Sequence, residues 1–150
     1  MNHIWSVLCE KSSIDTETNL LSLFSCIEEL SVVVDKQKME EKGGKVVIPA
    51  NFQLVSFWTI DDKEKDHNLR NKVELLSPNG EVLNQFNKSF DIKAGATRFR
   101  NRANISGMPI VGEGRYYLKL YQVSDAGENL VAQLPVEVKI SYKILDKNKQ

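Results

Sequence analysis

The segment PVEVKISYKI (135–144) sets Val136, Val138, Ile140, Tyr142 and Ile144 against Glu137, Lys139, Ser141 and Lys143 at alternate positions. A repeat of two residues marks an extended strand, because successive side chains leave a pleated backbone on opposite faces. One face of this strand is dry and the other wet, so it belongs to a sheet packed on one side. The pattern recurs. RYYLKLYQV (115–123) places Tyr116, Leu118 and Leu120 on one side and Tyr117, Lys119 and Tyr121 on the other. FQLVSFWTI (52–60) is apolar at both parities, as in a strand covered on both faces. EVLNQFNKSFDI (81–92) carries Val82, Phe86, Phe90 and Ile92 at one parity, with a bend or bulge expected between its halves.

Turn chemistry separates these runs. In SPNGEV, Pro78 presets φ and Asn79-Gly80 accept positive φ, which predicts a hairpin joining 69–76 to 81–92. SDAGEN (124–129) repeats the device, and GMPIVGEGR (107–115), with three glycines and Pro109, reads as a loop. Turns spaced about every 10 residues predict an all-β fold, an antiparallel β-sandwich of eight or nine strands. Trp5, Val7, Leu54, Trp58, Val73, Leu75, Phe86, Phe90, Phe99, Tyr116, Leu118, Leu120, Val138 and Ile140 are expected to line its core. A chain of 150 residues suits one domain, expected over 1–145 with a polar tail at 146–150. DKQKMEEKGGK (35–45) reads as an exposed charged insert with room for a helical turn.

One stretch reads two ways. NLLSLFSCIEEL (19–30) fits an amphipathic helix, and equally a strand paired with HIWSVLCE (3–10) through the turn SIDTETN. Leu8-Cys9-Glu10, the turn Asp15 to Asn19, Leu20 to Phe24, Pro49, SPNGEV, and Gly114 before Tyr116-Tyr117-Leu118 together carry a resemblance. The chain resembles a family of small bacterial β-sandwich proteins, loosely C2-like or immunoglobulin-like, catalogued as a domain of unknown function. That resemblance implies a strand at 20–27 paired with the first strand, and it implies no catalytic residues. The insert at 35–45 departs from the family.

Signals for chemistry are sparse. His3, His67, Cys9 and Cys26 are the only His and Cys residues, without Cys-x-x-Cys or His-x-x-x-His spacing. Cys9 and Cys26 read as small core residues with reduced thiols. His67 lies in the charged run DDKEKDHN, and no Gly-x-Ser-x-Gly elbow presents a serine, which argues against a hydrolase. Asp61, Asp62, Glu64 and Asp66 resemble a calcium loop, yet Lys63 and Lys65 cancel the carboxylate surplus that calcium needs. No cofactor is expected.

Twenty basic and twenty acidic residues cancel, which argues against a dedicated nucleic-acid binder. No apolar run reaches the ~20 residues of a membrane-spanning helix, and the cytoplasm is the expected compartment. One local feature stands out. In TRFRNRANI (97–105), Arg98, Arg100 and Arg102 share a strand face, and Arg115, Tyr117, Lys119 and Tyr121 follow one loop later. If the two strands pair, cations and rings lie side by side and suit an acidic peptide, a phosphate or single-stranded nucleic acid. Against this stands the account in which arginine stems cover apolar surface and a long connection crosses between sheets. The expectation is a non-catalytic binding module for a protein partner, with an anion-, nucleic-acid- or calcium-dependent surface binder as the alternative and an enzyme disfavoured.

Overall fold

A computed structural model describes residues 1–143; the expected tail at 146–150, and Ile144, lie outside the described residues. The chain runs through β1 (Asn2–Ile14), β2 (Leu21–Cys26), β3 (Glu29–Asp35), α1 (Lys36–Glu41), β4 (Val46–Thr59), β5 (His67–Leu76), β6 (Val82–Ile92), β7 (Arg98–Ile110), β8 (Gly114–Ser124) and β9 (Gly127–Lys143). Two sheets result, one of four strands in the order β2-β1-β4-β7 and one of five in the order β3-β9-β8-β5-β6. The fold is all-β and sandwich-like. It is not wholly antiparallel, because β3 pairs with β9 in parallel, Leu30 opposite Val138 and Val32 opposite Ile140.

Alternation places the core. From the four-stranded sheet come Leu8, Phe52, Leu54, Trp58 and Ala103, and from the five-stranded sheet Leu69, Val73, Leu75, Tyr116, Leu118, Leu120, Val136 and Val138, all buried. Phe86, Phe90, Phe99 and Ile140 pack at its margin, with Phe90 and Phe99 bringing β6 against β7 at 5.3 Å between ring centroids. Tyr116 ties the start of β8 to the preceding turn: its hydroxyl donates to Gly112 O at 2.6 Å and accepts from Val111 N and Gly112 N.

Several expectations need correction. Trp5 and Val7 do not face the core. A bulge between His3 and Trp5 shifts the β1–β4 register, so His3 faces inward opposite Trp58, whereas Trp5 faces outward opposite Phe57. The loop expected at 107–115 shrinks to residues 111–113, because Gly107 to Ile110 continue β7 opposite β4. Pro109 is tolerated there since β7 is an edge strand with one hydrogen-bonding side free. The irregularity expected between the halves of 81–92 lies nearer the start of β6: Leu75 pairs with Asn84 and Leu76 with Val82, which leaves Leu83 as the extra residue of a bulge.

Segment 19–30 is not a helix. Leu21–Cys26 pairs antiparallel with β1, and Glu29 then opens β3 in the other sheet. The insert at 35–45 holds the helical turn α1, capped by Asp35, whose carboxylate accepts from Gln37 N and Lys38 N. It is not wholly exposed, because Met39 is buried in the core cluster. The hairpin at SPNGEV forms as expected, with Ser77 N donating to Glu81 O and Gly80 at φ 86.

Candidate functional site

The outward face of the four-stranded sheet is built from the second parity of β7, β4 and β1. Register sets three rows across it: Arg98–Thr59–Asn2, Arg100–Phe57–Trp5 and Arg102–Val55–Val7. Trp5 and Phe57 stack with ring centroids 5.7 Å apart and planes 30° apart. The arginine stripe therefore borders two aromatic rings, supplied by β1 and β4.

Part of this face is covered. β1 pairs with β4 only as far as Cys9, and beyond that point it pairs with β2 alone. The β1–β2 hairpin then turns over the outward face. Ser12 Oγ donates to Gln53 Oε1 at 2.5 Å, and Gln53 Nε2 donates to Asn104 Oδ1 at 3.1 Å. At the hairpin tip, Arg100 donates to Asn19 O at 2.9 Å and to Asn19 Oδ1 at 3.3 Å. Asn19 holds φ 55, and Asp15 closes the same turn by accepting from Glu17 N and Thr18 N. This cover explains why Val55 and Cys9 are fully buried although they sit on outward positions.

The three arginines thus differ in state. Arg100 is half-buried and occupied by the hairpin, whereas Arg98 and Arg102 are exposed. Among the described residues, neither Arg98 nor Arg102 takes part in an ion pair.

The second group is elsewhere. β7 and β8 lie in different sheets and do not pair, so Arg115, Tyr117, Lys119 and Tyr121 emerge from the outward face of the five-stranded sheet. The condition that would bring these side chains beside the arginine stripe is not met. Their surroundings also differ. Arg115 meets Glu137 at 2.5 Å, and that carboxylate, followed by Tyr117, holds the guanidinium proton more firmly than usual. Lys72 bridges Glu128 and Glu74, lies 4.5 Å from the Tyr121 ring centroid, and has its pKa raised by those two carboxylates. Burial, followed by Glu74, raises the Tyr121 hydroxyl. Arg70 pairs with Asp125 and Lys139 with Glu29, while Lys119 stands opposite Glu74. Cations on this face are largely matched by acids.

The acidic loop after β4 is engaged internally. Asp61 accepts from Asn2, Asp62 accepts from Glu64 N and pairs with Lys65, and Asp66 accepts from Ala94 N and pairs with Lys93. Main-chain donors, then the lysines, hold Asp62 and Asp66 below the usual carboxylate range. Among the described residues no three His, Cys, Asp or Glu side chains converge to hold a metal ion. No helix among them is long and apolar enough to cross a membrane.

Sequence reasoning missed Trp5 and Phe57 as surface residues. The available signal was FQLVSFWTI itself, whose apolar residues at both parities require an outward apolar face on β4. It also missed a polar line through the core edge, where His3 Nε2 lies 2.7 Å from Ser6 Oγ and Ser6 Oγ donates to Ser56 Oγ at 2.9 Å. Cys26, read as a core residue, is exposed, and only Cys9 is buried.

No family model matches the chain, and no curated protein matches it.

Proposed function

We propose that the protein is a non-catalytic binding module, and that the outward face of its four-stranded sheet takes an acidic segment of a protein partner. One observation carries the reading: Arg98 and Arg102 stand exposed without a carboxylate beside the Trp5–Phe57 stack, whereas Arg70, Lys72, Arg115 and Lys139 on the opposite face each meet an acid. An unmatched guanidinium gains charge-assisted, bidentate hydrogen bonds from an incoming carboxylate. Nearby aromatic rings add apolar area with little side-chain entropy to lose, as in binding hot spots. Arg100 is not part of this contact surface, because the hairpin occupies it.

The finer type of the sandwich belongs to the same proposal, in a cytoplasmic setting and within the small bacterial family that the chain resembles. Tyr116 supports the immunoglobulin-like type over the C2-like one, since a tyrosine early in a strand, bonded to main chain a few residues upstream, is a corner device of that sandwich class.

Selection from a displayed peptide library tests the proposal. The expected binders are enriched in Asp and Glu and carry an apolar residue, and they lose at least tenfold in affinity against Arg98→Ser/Arg102→Ser, about 1.4 kcal/mol. Binders without acidic enrichment, or binders indifferent to the double substitution, would overturn it.

A further inference from the structure

The chain has two cysteines, separated by sixteen residues in sequence, and the β1–β2 hairpin sets them directly opposite one another, Cys9 across from Cys26. Ile27 N donates to Leu8 O at 2.8 Å. In an antiparallel ladder, a hydrogen bond between those neighbours makes the Cys9–Cys26 pair a non-hydrogen-bonded one, the kind whose Cα atoms approach to about 4.5 Å. A disulfide asks for Cα atoms roughly 4.4–6.8 Å apart, a range that a pair of this kind satisfies. Directly opposite residues also project from the same side of the ladder, so the two thiols share a face.

We infer that Cys9 and Cys26 form a redox-active thiol pair, which closes to a cross-strand disulfide when a small disulfide such as oxidised glutathione is the oxidant. Their exposures divide the roles. Cys26 is exposed and borders an open groove of about 570 Å³, together with Ile27, Arg115 and Glu137, so an oxidant reaches it first. Its thiolate attacks one sulfur of oxidised glutathione, forming a mixed disulfide and expelling one glutathione thiolate. Cys9 is buried and reaches no outside reagent, but it faces Cys26. Its thiolate attacks the Cys26 sulfur, forms the intramolecular bond and expels the second glutathione as thiolate. Two protein thiols are oxidised, one glutathione disulfide is reduced to two thiols, and the protons follow the departing thiolates. Burial, then the adjacent Cys26, hold the Cys9 thiol above its ordinary range, so closure speeds up as pH rises.

The staple has a definite place. It joins the point where β1 leaves β4 to the end of β2, just before the chain crosses to β3 in the other sheet. Oxidation therefore fixes the root of the hairpin that covers the outward face.

Mass spectrometry on the full, natively folded chain tests the inference. The protein is incubated with oxidised glutathione, remaining thiols are blocked, and the denatured chain is cut after Lys11, which separates the two cysteines. The expected product is a covalent pair of peptides containing Cys9 and Cys26, in monomeric protein lighter by two hydrogens. Cys9→Ser should stop at a glutathione adduct on Cys26, and Cys26→Ser should stay unmodified while folded. Wild-type protein that halts at the glutathione adduct, links two chains through Cys26, or keeps both thiols free would overturn the inference. The wild-type result stands whether or not either variant folds.

Discussion

His3 shows how one residue can acquire a role from a one-residue slip. Without the bulge before Trp5 it would share a face with Trp5 and Val7; with it, the imidazole turns inward, edge-on to Trp58 at 5.0 Å and beside Ser6. Burial there pulls its pKa below the ordinary 6.5, against an opposing main-chain bond at Trp5. The folded chain thus keeps His3 neutral to lower pH than the unfolded chain does. As pH falls below 6.5, protons bind preferentially to the unfolded state, so the stability loss begins there and levels off below the folded pKa. Denaturant midpoints measured from pH 7.5 downward should fall through this window, and His3→Gln should remove that part of the fall. The carboxylates of Asp62 and Asp66 act in a separate window, below their ordinary 3.8. An unchanged slope in His3→Gln would show that His3 is not buried as described.

At the scale of elements, the β1–β2 hairpin decides what the outward face can offer. Its inward side presents Ser12, Leu21 and Leu23, while Ser13, Ser22 and Phe24 stay exposed, so burial alternates over Leu21 to Phe24 and Ser12 is the one buried residue of the β1 arm beyond Cys9. Arg100 secures the far end through Asn19. Arg100→Ser should therefore cost about 1 kcal/mol of stability, the usual scale for a lost hydrogen-bonded contact. Arg98→Ser and Arg102→Ser, which have no such contact, should each stay within about 0.5 kcal/mol of wild type. Urea unfolding of the three single variants makes the comparison, and equal effects at all three positions would contradict the clamp.

Much of this element level was legible. Alternation in 115–123 and 135–144 placed Tyr116, Leu118, Leu120 and Val138 inward, and Pro78-Asn79-Gly80 marked the β5–β6 hairpin, because both signals are local. The glycines around Pro109 misled for the opposite reason. Gly107 adopts φ 76 within a strand that continues past it, where an added Cβ would lie 3.0 Å from Val47 Cγ1. There glycine serves a close approach of β7 to β4 instead of a turn.

For the molecule as a whole, period-two patterning tells which side chains share a face, but not which sheet a strand joins. Arg100 and Tyr117 could therefore be assigned to faces without being assigned to the same face. The short turn at 111–113 carries the chain from the four-stranded sheet to the five-stranded one, and it parts the arginine stripe from Arg115, Tyr117, Lys119 and Tyr121. Long-range pairing also produced the parallel contact of β3 with β9, which no local turn announces. The outcome is a sandwich with two unlike exteriors, one with its cations matched by acids and one with two arginines left open beside aromatic rings. That contrast is the core of the functional proposal, and amide chemical-shift mapping with a Glu-rich peptide containing one Leu or Phe tests it most directly. Perturbations should concentrate on β7, β4 and the first half of β1, around Arg98, Arg102, Phe57 and Trp5, and should fade as salt is added. Perturbations centred on β8 and β5, or a spectrum unmoved by the peptide at low salt, would contradict the account.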